Sequence, residues 1–353
     1  MIEEKKKVTE ISDLGEFGLI EYLTKNIKLK NKSSIYGVGD DAAVINTKLY
    51  QVVTTDLLVE GIHFDLMYTP LKHLGYKSVI ANISDIYAMN AKPKQITVSI
   101  AISSKFSLEN VNDLYSGIYL ACERYGVDVI GGDTSSSVTG LLISITAIGE
   151  VENKNKIVYR NGAKTNDLIC VSGDLGAAYM GLQLLEREKK VFIETGTQQP
   201  DLDGYDYVLE RFLKPEARKE IIEILDDLKI IPTSMIDISD GLSSELMHIC
   251  TQSKLGCNIY ADKIPIDLTT INIAEKFNIE SMIPVLNGGE DYELLFTVSI
   301  ADFEKIKDRK EIKIIGNITE ESNGRNIVTD DGTAIKLQAQ GWQQTFKEED
   351  NEN

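Results

Sequence analysis

Positive charge is scarce in this sequence, and long apolar runs are missing from it. The 353 residues include 37 lysines and arginines against 55 aspartates and glutamates, a formal net charge of −18. Binding to nucleic acid needs clustered Lys and Arg, so this class of partner is not expected. No run approaches the roughly 18 apolar residues that cross a membrane. Because 42 % of the residues are hydrophobic, a globular protein with a core is predicted.

Cysteine is also sparse. Cys122, Cys170, Cys250 and Cys257 are scattered, form no CxxC pair and share no motif with the three histidines, which argues against zinc. The first residues, MIEEKKKV, are charged and lack the apolar segment of a secretory signal. Reduced thiols and a cytoplasmic location are therefore expected.

Periodicity predicts an α/β (α+β) protein, and the length predicts two domains at about 150 residues each. The polar segment 153–155 separates expected domains at residues 1–150 and 151–353. In the first half, one helix is predicted at 70–89, capped by Thr69 and stopped by Asn90, and another at 107–126. Strands are predicted there at 51–55, 96–102, 127–130 and 141–148. The second half carries predicted helices at 173–185, from Pro215 onward and at 241–253, with predicted strands at 168–171 and 292–298 and a hairpin at 327–337.

Four short apolar or β-branched runs each end in aspartate. They are GVGDDAAV (37–44), VVTTD (52–56), VIGGDTS (129–135) and SMIDISDGL (234–242). Ligand sites of α/β proteins lie just beyond strand ends, and glycines there let the backbone approach a ligand closely. Asp85 adds a carboxylate from the predicted 70–89 helix, on the face that also carries Asn82 and Ala81.

Each aspartate, taken singly, has an ordinary structural interpretation. Asp40 or Asp240 would be a helix N-cap, and Asp133 an Asx-turn. Five or six converging carboxylates would instead repel one another and raise one another's pKa. Mg²⁺ suits such oxygen ligands and usually binds carboxylates together with substrate phosphates, so the set predicts phosphoryl chemistry. The sequence has no EF-hand spacing, no P-loop and no kinase motif.

Three further residues each allow two interpretations. Arg160, in YRNGAK, is a direct phosphate contact or a surface arginine on a turn. Glu290, in GGEDYE, is a carboxylate presented to a ligand or part of a solvated turn. Trp342, the single tryptophan, covers a core or stacks on an aromatic or cationic ligand.

In combination, these motifs resemble the thiamine-monophosphate kinase family, in the superfamily of aminoimidazole ribonucleotide synthetase. The similarity extends from about Gly15 to Trp342 and is carried, in order, by GEFGLI, GVGDDAAV, TTDLLVEGIHF, NISDIYAM, IGGDTS, RNGAK, IDISDGLSSEL and GGEDYELLFTV. The resemblance implies a two-domain aminoimidazole ribonucleotide synthetase-like fold, with an N-terminal sheet domain that forms a homodimer and a C-terminal α/β domain. It also implies ATP-dependent phosphorylation of thiamine monophosphate to the diphosphate, by direct in-line transfer with several Mg²⁺ ions.

The resemblance implies site residues by position. The implied metal ligands are Asp41, Thr54, Thr55, Asp56, Asp85, Asp133, Asp237 and Asp240. The implied ATP contacts are Tyr115, Gly132, Asp133, Arg160 and Ser239. The implied substrate positions are His63, Glu290 and Trp342, where a carboxylate and a ring suit a cation that bears two rings. No acid–base residue is assigned, because a phosphate monoester is already ionised near pH 7.

The chain departs from the family pattern at two turns. Asn90 stands where the family usually has Gly, and Thr165-Asn166 replaces a Pro-Gly turn after RNGAK, which leaves the pose of Arg160 open.

The alternatives are another enzyme of the superfamily or a non-catalytic acidic protein that binds divalent ions. Selenophosphate synthetase is disfavoured because no cysteine precedes Cys122, and the hydrogenase maturation dehydratase because the chain ends in KEEDNEN. Aminoimidazole ribonucleotide synthetase would not explain GGEDYEL together with Trp342. A simple ion-binding protein would require neither Arg160 nor Glu290.

Overall fold

The structure is a computed structural model in which residues 19, 22–36, 44–196 and 199–338 are described. Its strands form a two-stranded, a four-stranded and a seven-stranded sheet. The strands are β1 (Ser34–Tyr36), β2 (Val44–Ile45), β3 (Tyr50–Val59), β4 (Lys92–Ile102), β5 (Asp128–Ser136), β6 (Leu142–Val151), β7 (Leu168–Ser172), β8 (Ser234–Asp237), β9 (Gly256–Tyr260), β10 (Leu294–Val298), β11 (Ile312–Thr319), β12 (Arg325–Val328) and β13 (Ala334–Lys336). The α-helices with assigned bounds are α1 (Leu71–Ala88), α2 (Leu108–Tyr125), α3 (Ala177–Thr195), α4 (Asp206–Leu213), α5 (Lys219–Asp227), α6 (Leu242–Ser253), α7 (Leu268–Lys276), α8 (Met282–Asn287) and α9 (Phe303–Ile306).

The four-stranded sheet has the order β3-β6-β4-β5 and belongs to the N-terminal half of the chain. Its neighbours are antiparallel except β4 and β5, which are parallel and joined across α2. Helix α1 packs on this sheet and on α2. The two helices approach at glycines, since a Cβ on Gly75 would lie 2.0 Å from the Leu114 carbonyl oxygen and one on Gly117 would lie 1.8 Å from that of Lys72. The opposite face of the sheet leaves Val53 62 % and Leu57 52 % exposed.

The seven-stranded sheet has the order β13-β12-β9-β11-β7-β10-β8 and belongs to the C-terminal half. One hydrophobic core extends across both halves of the chain, from Ile83 on α1 to Ile221 on α5 and Phe296 on β10. Helix α1 also lies against β8, so it is enclosed between the two sheets. A helix enclosed in this way is buried on nearly all sides.

Several predicted features are confirmed. Ser107 caps α2 by accepting a hydrogen bond from the Asn110 N–H, and Gly126 ends it in a left-handed conformation. Asn90 follows α1 with φ +56°, and the β12–β13 hairpin turns at Asp331-Gly332. All four cysteines are buried and unpaired. Across the described residues, the helices fall short of the length and apolarity that a membrane span requires.

Other predicted boundaries are wrong. The N-cap position of α1 is Pro70, and the Thr69 hydroxyl makes no cap hydrogen bond. The helix expected from Pro215 begins at Lys219, because the Ala217 N–H donates instead to the Tyr125 hydroxyl. Helix α4 was not predicted at all.

Strands β3 and β5 are longer than predicted, so two of the aspartates lie within strands instead of after them. Asp56 pairs with Ile145 inside β3, and Asp133 pairs with Ser99 inside β5. The expectation that these two aspartates follow strand ends is therefore wrong, although Asp237 does end β8. All strands of the four-stranded sheet precede residue 153 and all strands of the seven-stranded sheet follow it, while the domain division at residue 150 stays a prediction.

Candidate active site

A cavity of about 750 Å³ lies between the two halves of the chain, which is large enough for a small organic substrate. The N-terminal half contributes Asp56 on β3, Ala81 on α1 and the loop that contains His63. The C-terminal half contributes residues of α3 and α4, together with the loops that follow β8 and precede β10. We refer to this space as the interdomain cavity.

The loop between β3 and α1 is tied to α3 across the interdomain cavity. Lys189 on α3 forms an ion pair with Asp65 at 2.6 Å, and the Tyr68 hydroxyl donates to Glu186 at 2.7 Å. His63 lines the cavity, and its Nδ1 accepts a hydrogen bond from the Val59 N–H at 3.1 Å. That bond orients the imidazole from within its own loop.

Three carboxylates form a cluster beside the interdomain cavity, and we call Asp56, Asp85 and Asp237 the aspartate cluster. Burial and the charge of Asp85 raise the pKa of Asp56 to about 6. Burial and the charge of Asp85 also raise the pKa of Asp237 to about 7, while the nearby Arg160 acts in the opposite direction. Thr54 Oγ1 donates to Asp85 Oδ2 at 2.6 Å. These carboxylates come from a strand, a helix and a strand end in both halves of the chain.

The aspartate cluster has the chemistry of an incomplete metal site. Asp56 Oδ2 is buried without a hydrogen-bond partner, and the mutual repulsion of the carboxylates would be relieved by a cation. Within the described ranges, however, no three His, Cys, Asp or Glu side chains meet closely enough to hold a metal ion by themselves. The donor set therefore fits Mg²⁺ that completes its shell with phosphate oxygens and water. Asp41, which was also expected among the metal ligands, lies outside the described residues.

The loops that carry Ser239, Asp240 and Glu290 are fixed to each other by backbone contacts. The Glu290 N–H donates to the Ser239 carbonyl at 2.8 Å, and the Asp240 N–H donates to Glu245 Oε1 at 3.0 Å. Gly289 has φ +72°, and a Cβ there would lie 2.3 Å from the Ser239 carbonyl oxygen. The position before α6 that caps the helix is Gly241, so the N-cap interpretation of Asp240 is wrong.

Glu290 has a partner that sequence reasoning missed. Its Oε2 lies 2.8 Å from the Nζ of Lys77, whose side chain is only 5 % exposed. The two residues are 213 positions apart, so no local pattern pairs them. The available signal was that Lys77 and Asp85 are the only charged residues of the sequence segment between His73 and Ala91, which is otherwise apolar or neutral.

A buried charge network supports the same loop. Glu293 accepts hydrogen bonds from Arg211 at 2.9 Å, from the Nε of Arg218 at 2.6 Å and from the Ser172 hydroxyl at 2.5 Å. Burial acts to raise the pKa of Glu293, but the charges of Arg218 and Arg211 outweigh it and hold the pKa below its ordinary value. Asp291 accepts a hydrogen bond from the Gly176 N–H at 2.8 Å, before α3.

Not all of the expected residues reach the aspartate cluster. The Thr55 hydroxyl donates to the Ile145 carbonyl at 3.1 Å and, by the alternation of strand side chains, faces away from Asp56. Asp133 lies on β5, three strand spacings or about 14 Å from β3, and accepts a hydrogen bond from the Thr134 N–H. Tyr115 is buried, with its ring 5.9 Å from that of Tyr119.

Three other expected positions complete the comparison. Gly132 has a packing reason to be glycine, since a Cβ there would lie 1.8 Å from the Val98 carbonyl oxygen. Asn166 adopts φ +71°, the conformation that a glycine turn would supply after RNGAK. Trp342 lies outside the described residues.

Known proteins match over most of this chain. A family model for AIR synthase related protein, N-terminal domain, matches residues 39–151. Thiamine-monophosphate kinase of Buchnera aphidicola subsp. Schizaphis graminum is 37 % identical over 324 residues, which cover 90 % of this chain and 94 % of that protein. The crystal structure of thiamine-monophosphate kinase from Stenotrophomonas maltophilia K279a superposes with a TM-score of 0.75 at 28 % identity, covering 91 % of this chain and 98 % of that one. The structure of AaThiL complexed with AMPPCP and TMP gives a TM-score of 0.71 at 31 % identity, covering 95 % and 98 %.

Proposed function

The chain belongs to the thiamine-monophosphate kinase family, and we propose that it transfers the γ-phosphoryl group of ATP to thiamine monophosphate, giving thiamine diphosphate and ADP. The observation that carries the proposal is the aspartate cluster beside the interdomain cavity, because it joins carboxylates suited to Mg²⁺ with space for an organic acceptor. The complex of a related protein with AMPPCP and TMP supports the same pair of substrates.

The carboxylates of the aspartate cluster, with Asp240 on the neighbouring loop, are the proposed ligands of several Mg²⁺ ions. Bound Mg²⁺ would neutralise phosphate charge that this acidic chain otherwise repels. Thr54 holds Asp85 by the hydrogen bond described above. Asp41, Thr55 and Asp133 are retained as proposed ligands by family position alone.

The proposed ATP contacts are Arg160, Ser239, Tyr115, Gly132 and Asp133. Arg160 has the best support among them, because its charge already acts on Asp237. A guanidinium beside carboxylates that bind metal would reach the same phosphate from another side.

The proposed acceptor contacts lie on the wall of the interdomain cavity. His63 and Glu290 both line it, and Trp342 is added by family position. The negative charge of Glu290 suits the cationic ring of thiamine, while the Tyr292 side chain supplies apolar surface nearby.

The proposed reaction is direct in-line transfer, without a general base. The acceptor is a phosphate monoester, whose second ionisation is largely complete near pH 7, with a pKa of about 6. The protein therefore has to align two phosphates and neutralise their charge, which is the usual work of phosphoryl-transfer sites.

We also propose that a second copy of the chain covers the open face of the four-stranded sheet. Val53 and Leu57 are more than half exposed there, and an apolar sheet face in water favours association. A homodimer formed in this way would bury the face that α1 and α2 leave uncovered.

The deciding experiment incubates purified protein with Mg²⁺, ATP and thiamine monophosphate and separates the products by chromatography. Equal amounts of thiamine diphosphate and ADP are expected. ADP without thiamine diphosphate would point to another acceptor, as in other enzymes of the superfamily. If the protein only bound divalent ions, neither product would form, and ATP with Mg²⁺ would raise the melting temperature no further than Mg²⁺ alone.

A further inference from the structure

We propose that Lys77 is a positioning residue of the acceptor pocket, the part of the interdomain cavity that contains Glu290 and Phe212. Lys77 holds the Glu290 carboxylate and the Phe212 ring in place to receive the organic cation of the substrate. The inference rests on the proposed function, since it concerns how the same cavity recognises its acceptor. It assigns a role to a residue in the N-terminal half that acts through two residues in the C-terminal half.

The contacts of Lys77 place its ammonium group behind the cavity wall. Its Nζ lies 2.8 Å from Glu290 Oε2 and 4.0 Å from the centroid of the Phe212 ring. Glu290 and Phe212 both line the interdomain cavity, whereas the Lys77 side chain is 5 % exposed. One cation therefore contacts two lining groups, a carboxylate and an aromatic face, of the kinds that attract a cationic ligand.

The backbone of Glu290 is fixed by its own contacts, but these contacts do not fix its side chain, which therefore needs a partner. The residue has φ +58°, and its N–H donates to the Ser239 carbonyl. The remaining freedom lies in its side-chain torsions, and a flexible carboxylate would have to be ordered on binding. Lys77 engages Oε2 from inside the protein, which leaves the other oxygen for a ligand in the cavity.

The pairing also links the acceptor pocket to the arrangement of the two halves. Lys77 is on α1, which carries Asp85 of the aspartate cluster, whereas Glu290 precedes β10 and Phe212 is on α4. If α1 shifted relative to the C-terminal half, Glu290 would lose its partner. The acceptor pocket is thus complete only when α1 is in place.

The test compares Lys77→Met with a matched control, Lys214→Met. Lys214 makes the neighbouring cation–aromatic contact between the halves, with its Nζ 5.2 Å from the Tyr76 ring, and it does not line the cavity. We expect Lys77→Met to raise the KM for thiamine monophosphate at least tenfold and to change the KM for ATP less than twofold. Lys214→Met should leave both KM values within twofold, and Lys77→Arg should restore the KM for thiamine monophosphate to within threefold of the wild-type value.

A double variant decides whether Lys77 acts through Glu290. We expect Lys77→Met combined with Glu290→Gln to have the same KM for thiamine monophosphate as Glu290→Gln alone, within twofold. The proposal is overturned if the KM of the double variant for thiamine monophosphate rises by the product of the two single effects. It is also overturned if Lys77→Met changes the KM values for thiamine monophosphate and for ATP equally. If Lys77→Met fails to fold, Lys77→Gln is measured in its place against the same criteria.

These outcomes are distinct from a failure of the proposed function. Wild-type protein that makes no thiamine diphosphate would refute the function itself. Wild-type activity with an unchanged KM in Lys77→Met would refute only the role of Lys77.

Discussion

Charged side chains in this protein occur in two kinds of buried surroundings. Glu293 is fully buried but is matched by two arginines and a hydroxyl. Asp56 and Asp237, by contrast, lie among other carboxylates, and their pKa values are raised. Matched charges support the fold, whereas unmatched carboxylates beside a cavity indicate a site whose partner arrives from solution.

Asp56→Asn should separate activity from stability. We expect kcat to fall at least 100-fold, because a proposed metal ligand is lost. The metal-free variant should unfold at a temperature no lower than that of the wild type, because the substitution removes a charge that Asp85 repels. The expected gain in unfolding free energy is on the order of 1 kcal/mol. Thermal unfolding in EDTA and steady-state kinetics measure the two effects, with Asp226→Asn in an exposed ion pair as the control. A lower unfolding temperature would indicate a structural role for Asp56.

Glu293→Gln should cost about 3–5 kcal/mol of unfolding free energy near pH 7, because it removes the buried carboxylate that both Arg211 and Arg218 contact. Since the folded state holds the pKa of Glu293 below its ordinary value of 4.5, the stability it contributes is present above that pH and is lost as the pH falls through the folded-state pKa. The difference in unfolding free energy between wild type and variant, measured by urea titration, should therefore become smaller from pH 7 to pH 3. Glu223→Gln, in an exposed pair with Lys219, should change stability by less than about 0.5 kcal/mol. A difference that stayed constant with pH would contradict this account.

Secondary-structure elements could be predicted from the sequence where local signals set their ends. Helix α2 begins after Ser107 and ends at Gly126 because a side-chain cap and a left-handed glycine act within one turn. The lengths of β3 and β5 could not be predicted, because ladder partners far along the chain extend them through Asp56 and Asp133. Helices α4 and α7 were not predicted, although the Asp267 side chain caps α7, so the presence of a cap alone does not reveal a short helix.

The contact between α1 and α2 depends on two glycines. Gly117→Ala should destabilise the protein by about 2–3 kcal/mol, because the added Cβ would lie 1.8 Å from the Lys72 carbonyl oxygen and force the helices apart. Chemical denaturation measures the change, with Asn112→Ala on the exposed side of the same helix as the control. A loss no larger than that of the control would show that the helices can separate at little cost.

At the scale of the whole molecule, the candidate site belongs to neither half alone. The interdomain cavity and the aspartate cluster both combine residues of the two halves of the chain, including α1. Sequence reasoning found most of these aspartates because each sits in a recognisable motif. It missed Lys77 and Phe212 because their roles arise from packing between segments far apart in the chain.

Val53→Glu should weaken the proposed homodimer at least 100-fold in dissociation constant, since the interface would bury an unpaired carboxylate from each copy. Val53 lies on the open sheet face and does not line the interdomain cavity. Analytical ultracentrifugation measures the effect. Leu268→Glu, at an equally apolar position that is 74 % exposed in the C-terminal half, is the control. A chain that is monomeric as wild type, or a Val53→Glu variant that remains dimeric, would refute the proposed interface.

Helix α1 carries Lys77 and Asp85, and this sets a constraint on length. The two residues are separated by eight positions, or about 12 Å along the helix axis. Lys77 contacts Glu290 on the wall of the interdomain cavity, and Asp85 belongs to the aspartate cluster. Inserting or deleting a single residue between them would turn one of them by about 100° about the axis and remove it from its partner. A point substitution at either residue changes one end of the site, whereas a change in the length of this segment would break the two ends apart.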